Sequence, residues 1–594
     1  MDLYGFYTGM NFNAYEYLGA HKQDGGFVFR VFAPSAQKIS LLGDFNEWTE
    51  AEMNRVNDGN FFELFIPVAK TGMKYLYRIY HQYGGYTDHC DIYGYGMELR
   101  PDFKSIVTDL SEYKFNDKKW IRSRTDCKDK PLNIYELHLG SWRRKEDNSW
   151  YHYDEIADML IDYFKDAGYN YIEFMPLLEH PCDNSWGYQN TGFFSPTSRY
   201  GTAAQLMELI DKCHQNGIGV IMDFVPVHFA IDGYGIKNFD GTPLYEYPHT
   251  DVGMSEWGSC NFMHSRGEVR SFLQSCAAYW LKEFHFDGLR MDAVSRIIYW
   301  QGNEERGENG QGVNFLKIMN RGLKEMFPNC MLIAEDSTNY PKVTKPVDEG
   351  GLGFDYKWDM GFMNDTLNYF KSAPEYRMDN YHMLTFSMMY YYNENYMLPF
   401  SHDENVHGKA TILQKMNGQY EDKFPQAKAM YLYMYIHPGK KLNFMGSEFG
   451  QIREWDEERE QDWGMLKYPT HDSFFNFMKR LNKLYLNHSS LYECDYDNNG
   501  FSWIDCHNTQ NCIYAIERKS ETETLIGIFN FSDIQKNYSV NGYENHTSEI
   551  LINTDWNEFG GKSPRNSEVD LNDIILPGFS AIMIQVKNNI FDKK

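Results

Sequence analysis

Four acidic residues stand at the ends of short apolar runs: Asp223, Asp292, Glu335 and Asp403. Arg290 lies two residues before Asp292, so on a strand the two side chains point to the same face. Burying a carboxylate beside a guanidinium costs free energy unless the two groups serve each other or a ligand. Taken alone, the pair is equally well explained as a structural ion pair. Four carboxylates in such positions favour glycoside chemistry, in which one group attacks or stabilises the anomeric carbon and another protonates the leaving oxygen.

The segment that carries these carboxylates alternates strand and helix patterns. Apolar residues at helical spacing mark a helix over 156–164, and further helices are predicted over 203–216, 266–284, 313–326 and 425–436. Eight strands are predicted between the helices: 133–139, 171–176, 219–225, 286–292, 331–335, 356–360, 396–400 and 441–445. The pattern favours a (β/α)₈ TIM barrel, whose active sites lie at the carboxyl ends of the strands. A doubly wound open sheet is the alternative, but no Gly-rich phosphate-binding motif opens a helix.

Strand patterns without helices flank the alternating segment, and they predict an antiparallel β domain on each side. The chain is therefore predicted to be α/β, with a TIM barrel over 116–490 between an N-terminal β-sandwich over 1–115 and a C-terminal all-β domain over 491–594. Trp48 follows a turn in the first of these, where it either forms a sugar platform or packs between two sheets. The C-terminal strands are predicted at 501–505, 512–517, 524–531 and 574–586.

Composition limits the classes of partner. The formal net charge is −26, which argues against nucleic acid or an anionic membrane and favours a neutral substrate. The 10 cysteines are scattered without metal-ligand spacing, so we expect buried free thiols in a reducing cytoplasm and no metal or cofactor. The first residues lack the pattern of a secretory leader, and no apolar run approaches the ~20 residues that span a bilayer.

Long motifs around the carboxylates add a resemblance. They are similar to the four signature regions of the α-amylase family (glycoside hydrolase family 13): Asp223-Phe-Val-Pro-Val-His228, Gly288-Leu-Arg290-Met-Asp292, Ile333-Ala-Glu335-Asp336-Ser337-Thr338 and Ser401-His402-Asp403-Glu404. In more detail, four stretches of the sequence resemble the 1,4-α-glucan branching enzymes of that family: 134–144, 179–201, 403–409 and 444–455. The stretches 18–21 and 43–48 resemble the carbohydrate-binding module of family 48 that precedes the barrel in these enzymes.

The resemblance implies a role for each residue that matches a motif. Asp292 would be the nucleophile that forms a covalent glycosyl-enzyme, and Glu335 would be the general acid and then the general base. Asp403 would hold hydroxyls of the reacting sugar and stabilise its transition state. Arg290 would keep Asp292 ionised and oriented, as an adjacent opposite charge does.

Four more residues are expected to bind or support the substrate. The resemblance implies that His228 and His402 hydrogen-bond the reacting sugar, that Tyr188 stacks beneath it, and that Asp223 supports the site. Five further residues either line the cleft or pack within the barrel: Glu136, His138, Trp142, Glu448 and Trp455.

The function that the resemblance implies is transfer within a glucan. Such an enzyme cuts an α-1,4-glucan and joins the released segment to a 6-hydroxyl, which creates an α-1,6 branch point of glycogen. A glucan hydrolase of the amylase or debranching type would use the same residues and is the alternative. A non-catalytic carbohydrate-binding relative is a further alternative, although it would lack the nucleophile or the acid, and both are present here. We expect a monomer or a weak oligomer.

Overall fold

The barrel predicted from the sequence is confirmed. The computed structural model of the protein describes residues 1–543 and 546–588. Eight parallel strands follow one another in chain order around a closed barrel, so the doubly wound alternative is wrong. The strands are β1 (Asn133–Leu137), β2 (Tyr171–Phe174), β3 (Gly219–Phe224), β4 (Gly288–Met291), β5 (Met331–Ala334), β6 (Tyr356–Trp358), β7 (Tyr396–Phe400) and β8 (Lys440–Phe444).

Helices follow the strands at nearly the predicted positions. A capping box, in which Thr202 and Gln205 satisfy each other's backbone groups, starts the helix Ala203–Gln215. The longer helices are Tyr153–Ala167, Ala203–Gln215, Gly267–Glu283, Gly310–Met326, Met360–Lys371, Tyr420–Ile436 and Pro469–Asn487. Met360–Lys371 and Pro469–Asn487 were not predicted, although both bury apolar residues along one side.

Contacts divide the chain into two compact units. The first unit comprises Met1–Arg124, His138–Ile161 and Glu173–Asp355, and it contains β3, β4 and β5. The second unit comprises Thr125–Leu137, Asp162–Ile172 and Tyr356–Lys594, and it contains β1, β6, β7 and β8.

The first unit begins with the predicted β-sandwich. One antiparallel sheet has the order Gly19–Gln23, Gly26–Phe32, Phe61–Ile66 and Asn54–Val56. The other has the order Ala51–Glu52, Ala36–Gly43, Lys74–His81 and Tyr86–His89. Phe29 of one sheet and Tyr75 of the other are fully buried, with ring centres 4.9 Å apart, so aromatic packing closes the sandwich.

Trp48 lies at the end of a turn in this sandwich and is half-buried. Its Nε1 donates to Asp44 Oδ1 at 3.1 Å, and Lys104 Nζ lies 5.7 Å from the centre of the ring. Contact of Trp48 with a glucan stays a prediction.

The second unit ends with the predicted antiparallel β domain. Its five-stranded sheet has the order Phe501–Asp505, Ile513–Lys519, Thr524–Asn530, Ser580–Asn588 and His546–Asn553. The single strand predicted at 574–586 is wrong, because Pro577 and Gly578 separate Ile574–Leu576 from Ser580–Asn588. The strand His546–Asn553 was missed because its first half is polar and largely exposed.

A network of buried charged residues lies at the N-terminal ends of β3 and β4 in the first unit. His214 Nδ1 lies 2.8 Å from Asp117 Oδ2, and His214 Nε2 lies 3.1 Å from Asp287 Oδ2. Asp287 Oδ2 also accepts from the backbone N–H of Val220, at 2.7 Å. Burial disfavours the imidazolium, but the charges of Asp287 and Asp117 together raise the pKa of His214 above its usual value. Each carboxyl is buried, yet its contact with His214 lowers its pKa, for Asp117 and for Asp287 alike.

These shifts give the network a pH window. Because the folded-state pKa of His214 is raised, its contribution is complete below about pH 6.5 and is lost as the pH rises through the folded-state pKa. Because the pKa values of Asp117 and Asp287 are lowered, their contributions are complete above about pH 4 and are lost as the pH falls further. The network therefore stabilises the fold most between these limits.

We expect His214→Ala to lower the free energy of unfolding at pH 6 by about 2–3 kcal/mol, since it removes the cation that two buried carboxylates share. Arg124 Nε, 2.6 Å from Asp287 Oδ1, and His285 Nδ1, 2.8 Å from Asp117 Oδ2, remain in place. The deficit relative to the parent should shrink as the pH is raised from 6 to 9. Denaturant unfolding at each pH measures it, with the exposed His507→Ala as the matched control. A deficit that does not change with pH would contradict the ionic role of His214.

All 10 cysteines are free thiols. Six are buried as predicted, but Cys182 is exposed, so the expectation of burial is wrong for that residue. In residues 1–543 and 546–588 no helix combines the length and apolar character that a bilayer crossing requires.

Candidate active site

Two neighbouring strands place Asp292 and Glu335. Each carboxylate is the residue immediately after its strand, β4 for Asp292 and β5 for Glu335. The backbone N–H of Asp292 donates to Phe224 O at 3.0 Å, and the N–H of Glu335 donates to Met291 O at 3.1 Å. The sheet hydrogen bonding therefore extends through both residues and fixes where their side chains begin.

The guanidinium of Arg290 is the centre of the site. Its Nη1 donates to both oxygens of Asp223, at 2.8 and 2.7 Å, and to Asp292 Oδ1 at 2.9 Å. Its Nη2 lies 3.8 Å from Glu335 Oε2. Burial opposes the charge of Arg290, but Asp223, then Tyr188, Asp292 and Glu335, raise its pKa well above the usual range. One guanidinium thus interacts with three carboxylates that stand on three adjacent strands.

The two carboxylates predicted to react, those of Asp292 and Glu335, differ from Asp223 in exposure. The side chains of Asp292 and Glu335 are each 15% exposed, whereas that of Asp223 is 1% exposed. Glu335 Oε2 accepts from the backbone N–H of Ala293 at 2.6 Å, and Ala293 has φ of 46°. The left-handed turn after Asp292 therefore orients the carboxyl of Glu335 while leaving both groups open to a substrate.

Tyr188 joins this network through Asp223. Its hydroxyl donates to Asp223 Oδ2 at 2.6 Å, and Arg290 Cζ lies 6.0 Å from the centre of its ring. Both oxygens of Asp223 thus accept hydrogen bonds from Arg290, and one also accepts from Tyr188, which fits a supporting role and not a reacting one.

His228 stands in the same unit, four residues after the end of β3. It is 2% exposed, and burial, followed by the nearby charge of Arg296, lowers its pKa to about 3. The ring is therefore neutral at neutral pH. Its buried Nδ1 has no hydrogen-bond partner among the described residues, which is the state expected of a group that binds a ligand hydroxyl.

In the second unit, His402 and Asp403 form a short turn after β7. His402 Nδ1 lies 2.5 Å from Glu136 Oε1, and the backbone N–H of His402 donates to Glu136 Oε2 at 2.8 Å. His402 Nε2 lies 3.5 Å from Asp403 Oδ1. The side chain of Asp403 is 43% exposed, whereas Glu136 and His402 are buried. Glu136 thus orients His402, a role that was not predicted from the sequence. The feature that could have indicated it is the position of a carboxylate within the apolar strand β1.

The other four residues considered for the cleft, His138, Trp142, Glu448 and Trp455, are all buried. Trp142 is fully buried, which favours the packing alternative for this residue. Glu448 is also fully buried; it accepts from Tyr135 and Tyr163, and burial raises its pKa to about 7. Trp455 is 6% exposed and packs on Phe444, with ring centres 5.2 Å apart. Both tryptophans therefore have packing roles.

Family models match three successive parts of the chain. Carbohydrate-binding module 48 (isoamylase N-terminal domain) matches residues 17–94. The catalytic domain of α-amylase matches residues 141–239 and 257–522, and the C-terminal all-β domain of α-amylase matches residues 503–587.

Relatives match nearly the full length. The 1,4-alpha-glucan branching enzyme GlgB of Halothermothrix orenii is 44% identical, with 96% of this chain and 94% of that protein covered. The protein of the same name from Bacillus subtilis is 42% identical, with 96% and 92% covered. Among solved structures, a putative α-amylase from Salmonella typhimurium aligns with a TM-score of 0.73 at 18% identity, over 96% of this chain and 100% of that one.

Proposed function

We infer how this chain works from the premise that it belongs to the 1,4-α-glucan branching enzymes of the α-amylase family. Enzymes of this kind move a segment of an α-1,4-glucan to a 6-hydroxyl and so create α-1,6 branch points. The main support for the catalytic roles is the position of Arg290: its guanidinium is bonded to Asp223 and Asp292 and lies close to Glu335.

The first step cleaves the donor chain. Asp292 attacks the anomeric carbon, and Glu335 gives its proton to the leaving glycosidic oxygen, so that one C–O bond forms as another breaks. Arg290 holds Asp292 ionised, which keeps its oxygen nucleophilic at neutral pH. Asp223 balances the charge of Arg290 and fixes its position.

The second step forms the branch. Glu335, now ionised, takes the proton from an acceptor 6-hydroxyl, whose oxygen attacks the anomeric carbon and releases Asp292. Two inversions give overall retention. Water competes for the same intermediate, but an acceptor held in place reaches an effective molarity of roughly 10⁵–10⁸ M. Binding of the acceptor is therefore what separates transfer from hydrolysis.

We propose that four residues hold the reacting sugar. His228 is neutral, and its Nδ1 has no hydrogen-bond partner within residues 1–543 and 546–588; it bonds one hydroxyl, and Tyr188 stacks beneath the sugar ring. Asp403 and His402 follow β7 and bond further hydroxyls, since the carboxyl ends of parallel barrel strands open on one rim. Glu136 keeps the imidazole of His402 oriented for this purpose.

We propose the domain boundaries 1–115, 116–490 and 491–594, with the first domain binding glucan or supporting the barrel. The family matches at 17–94 and 503–587 support the outer two. We further propose that the protein works in the cytoplasm on α-glucan as a monomer or weak oligomer. Ten free thiols suit a reducing compartment, and a net charge of −26 disfavours polyanionic partners.

Incubation with linear amylose tests the function. Transfer breaks one glycosidic bond for each bond it makes, so we expect the iodine absorbance to fall while the number of reducing ends stays nearly constant. Branches that isoamylase cleaves should appear in parallel. Reducing ends that rise in step with the loss of iodine colour would instead identify a hydrolase.

A further inference from the structure

An accessible tryptophan stands beside His228 in the first unit. Trp257 is 47% exposed, and its ring centre lies 5.3 Å from that of His228, with the ring planes 42° apart. It belongs to a long loop that starts at the short strand His228–Phe229 and returns through Cys260–Asn261, which pairs with it antiparallel. The base of this loop is therefore the candidate sugar-binding site itself.

Arg296 and His228 contact the indole ring, and Gln189 fixes the backbone of Trp257. The guanidinium of Arg296 lies over one face, with Cζ 4.2 Å from the ring centre, and the Arg296 side chain is only 11% exposed. Its Nη2 lies 2.5 Å from Glu256 Oε1. The carbonyl oxygen of Trp257 accepts from Gln189 Nε2 at 3.0 Å, and Gln189 directly follows Tyr188. Trp257 is thus tied to two parts of the candidate site.

The turn that presents Trp257 is also fixed internally. The backbone N–H of Ser255 donates to Ser259 O at 2.9 Å, and the hydroxyls of these two serines are 2.6 Å apart. Gln301 Nε2 donates to Met254 O at 2.8 Å. A large aromatic side chain that is half exposed yet held by so many contacts is preorganised for a ligand, because little side-chain entropy remains to be lost on binding.

We propose that Trp257 is a stacking platform for a glucose unit of the α-glucan that lies outside the reacting position. Arg296 occupies one face of the indole, and the exposed surface is left for the apolar C–H face of a sugar. This proposal rests on the function proposed above and extends it: chains long enough to reach Trp257 gain binding that shorter chains lack. Trp257 would then help to hold a glucan in place against competition from water.

The test separates binding from turnover. In the inactive Asp292→Ala background, we expect Trp257→Ala to weaken the binding of linear amylose about tenfold, the loss of one stacked ring, measured by affinity electrophoresis in gels containing amylose. Maltose, too short to use the platform fully, should lose less than about threefold, measured by calorimetry. Trp257→Phe should retain most of the affinity for amylose. Tyr468→Ala, which removes an aromatic side chain that is 62% exposed elsewhere, is the matched control and should bind amylose like its background.

Two outcomes would overturn the proposal. One is unchanged binding of amylose in a folded Trp257→Ala protein. The other is an equal loss for amylose and maltose together with a lowered unfolding temperature, which would make Trp257 a packing residue only. Failure of the proposed function would appear separately, as absence of branches in the products of the parent enzyme, whatever the binding results.

Discussion

Asp292→Ala is expected to lower the rate of branching of linear amylose by about 10⁴- to 10⁶-fold, because it removes the nucleophile of a covalent mechanism. The protein should still fold. Arg290 keeps both of its bonds to Asp223 when Asp292 is lost, so no buried charge is left alone. Iodine absorbance and isoamylase-released chains measure the rate, and far-ultraviolet circular dichroism measures the fold.

Azide supplies a sharper test of the role of Asp292. In Asp292→Ala, azide can occupy the space of the missing carboxylate and attack an α-glycosyl fluoride from that side, which gives the inverted β-glycosyl azide. Asp24→Ala, a change in an exposed turn of the N-terminal sandwich, is the control and should behave like the parent. Turnover within about tenfold of the parent in the folded Asp292→Ala protein would remove Asp292 from the mechanism.

Glu335→Gln is expected to lower the rate on amylose by about 10³- to 10⁵-fold, because an amide cannot protonate the leaving oxygen. The side-chain carbonyl of glutamine can still accept from the N–H of Ala293, which in the parent donates to Glu335 Oε2, so the geometry should persist. A glycosyl fluoride needs no proton to lose its leaving group. The first step with that donor should therefore be restored in Glu335→Gln and not in Asp292→Ala.

Azide again distinguishes the two carboxylates. In Glu335→Gln the glycosyl-enzyme on Asp292 still forms from the fluoride, and azide attacks it from the side of Glu335 without needing a base. The product should be the retained α-glycosyl azide. A β-azide from Glu335→Gln, or an α-azide from Asp292→Ala, would show that the two roles are exchanged.

Local patterns in the sequence were sufficient to predict the barrel. Helices are predicted from the spacing of apolar residues, as in Tyr153–Ala167, and strands from short apolar runs, as in Gly219–Phe224. Both patterns involve only residues that are close together along the chain. The same runs placed Asp292 and Glu335 at strand ends, where the structure has them. Local patterns were weakest where a strand carries few apolar residues, as in the polar first half of His546–Asn553, which was missed.

Long-range packing determines which side chains meet. Arg290 was paired with its neighbour Asp292, but its two bonds to Asp223 join residues 67 positions apart, and the bond between Glu136 and His402 joins residues 266 positions apart. No local spacing encodes such contacts, because they depend on the register between strands and on loop conformation. Burial also depends on long-range packing, which covers Trp142 fully and leaves Trp257 exposed beside His228. Local sequence patterns are therefore enough to identify the residue types and their positions at strand ends. The partners of these residues, their exposure and hence their possible roles depend on long-range packing.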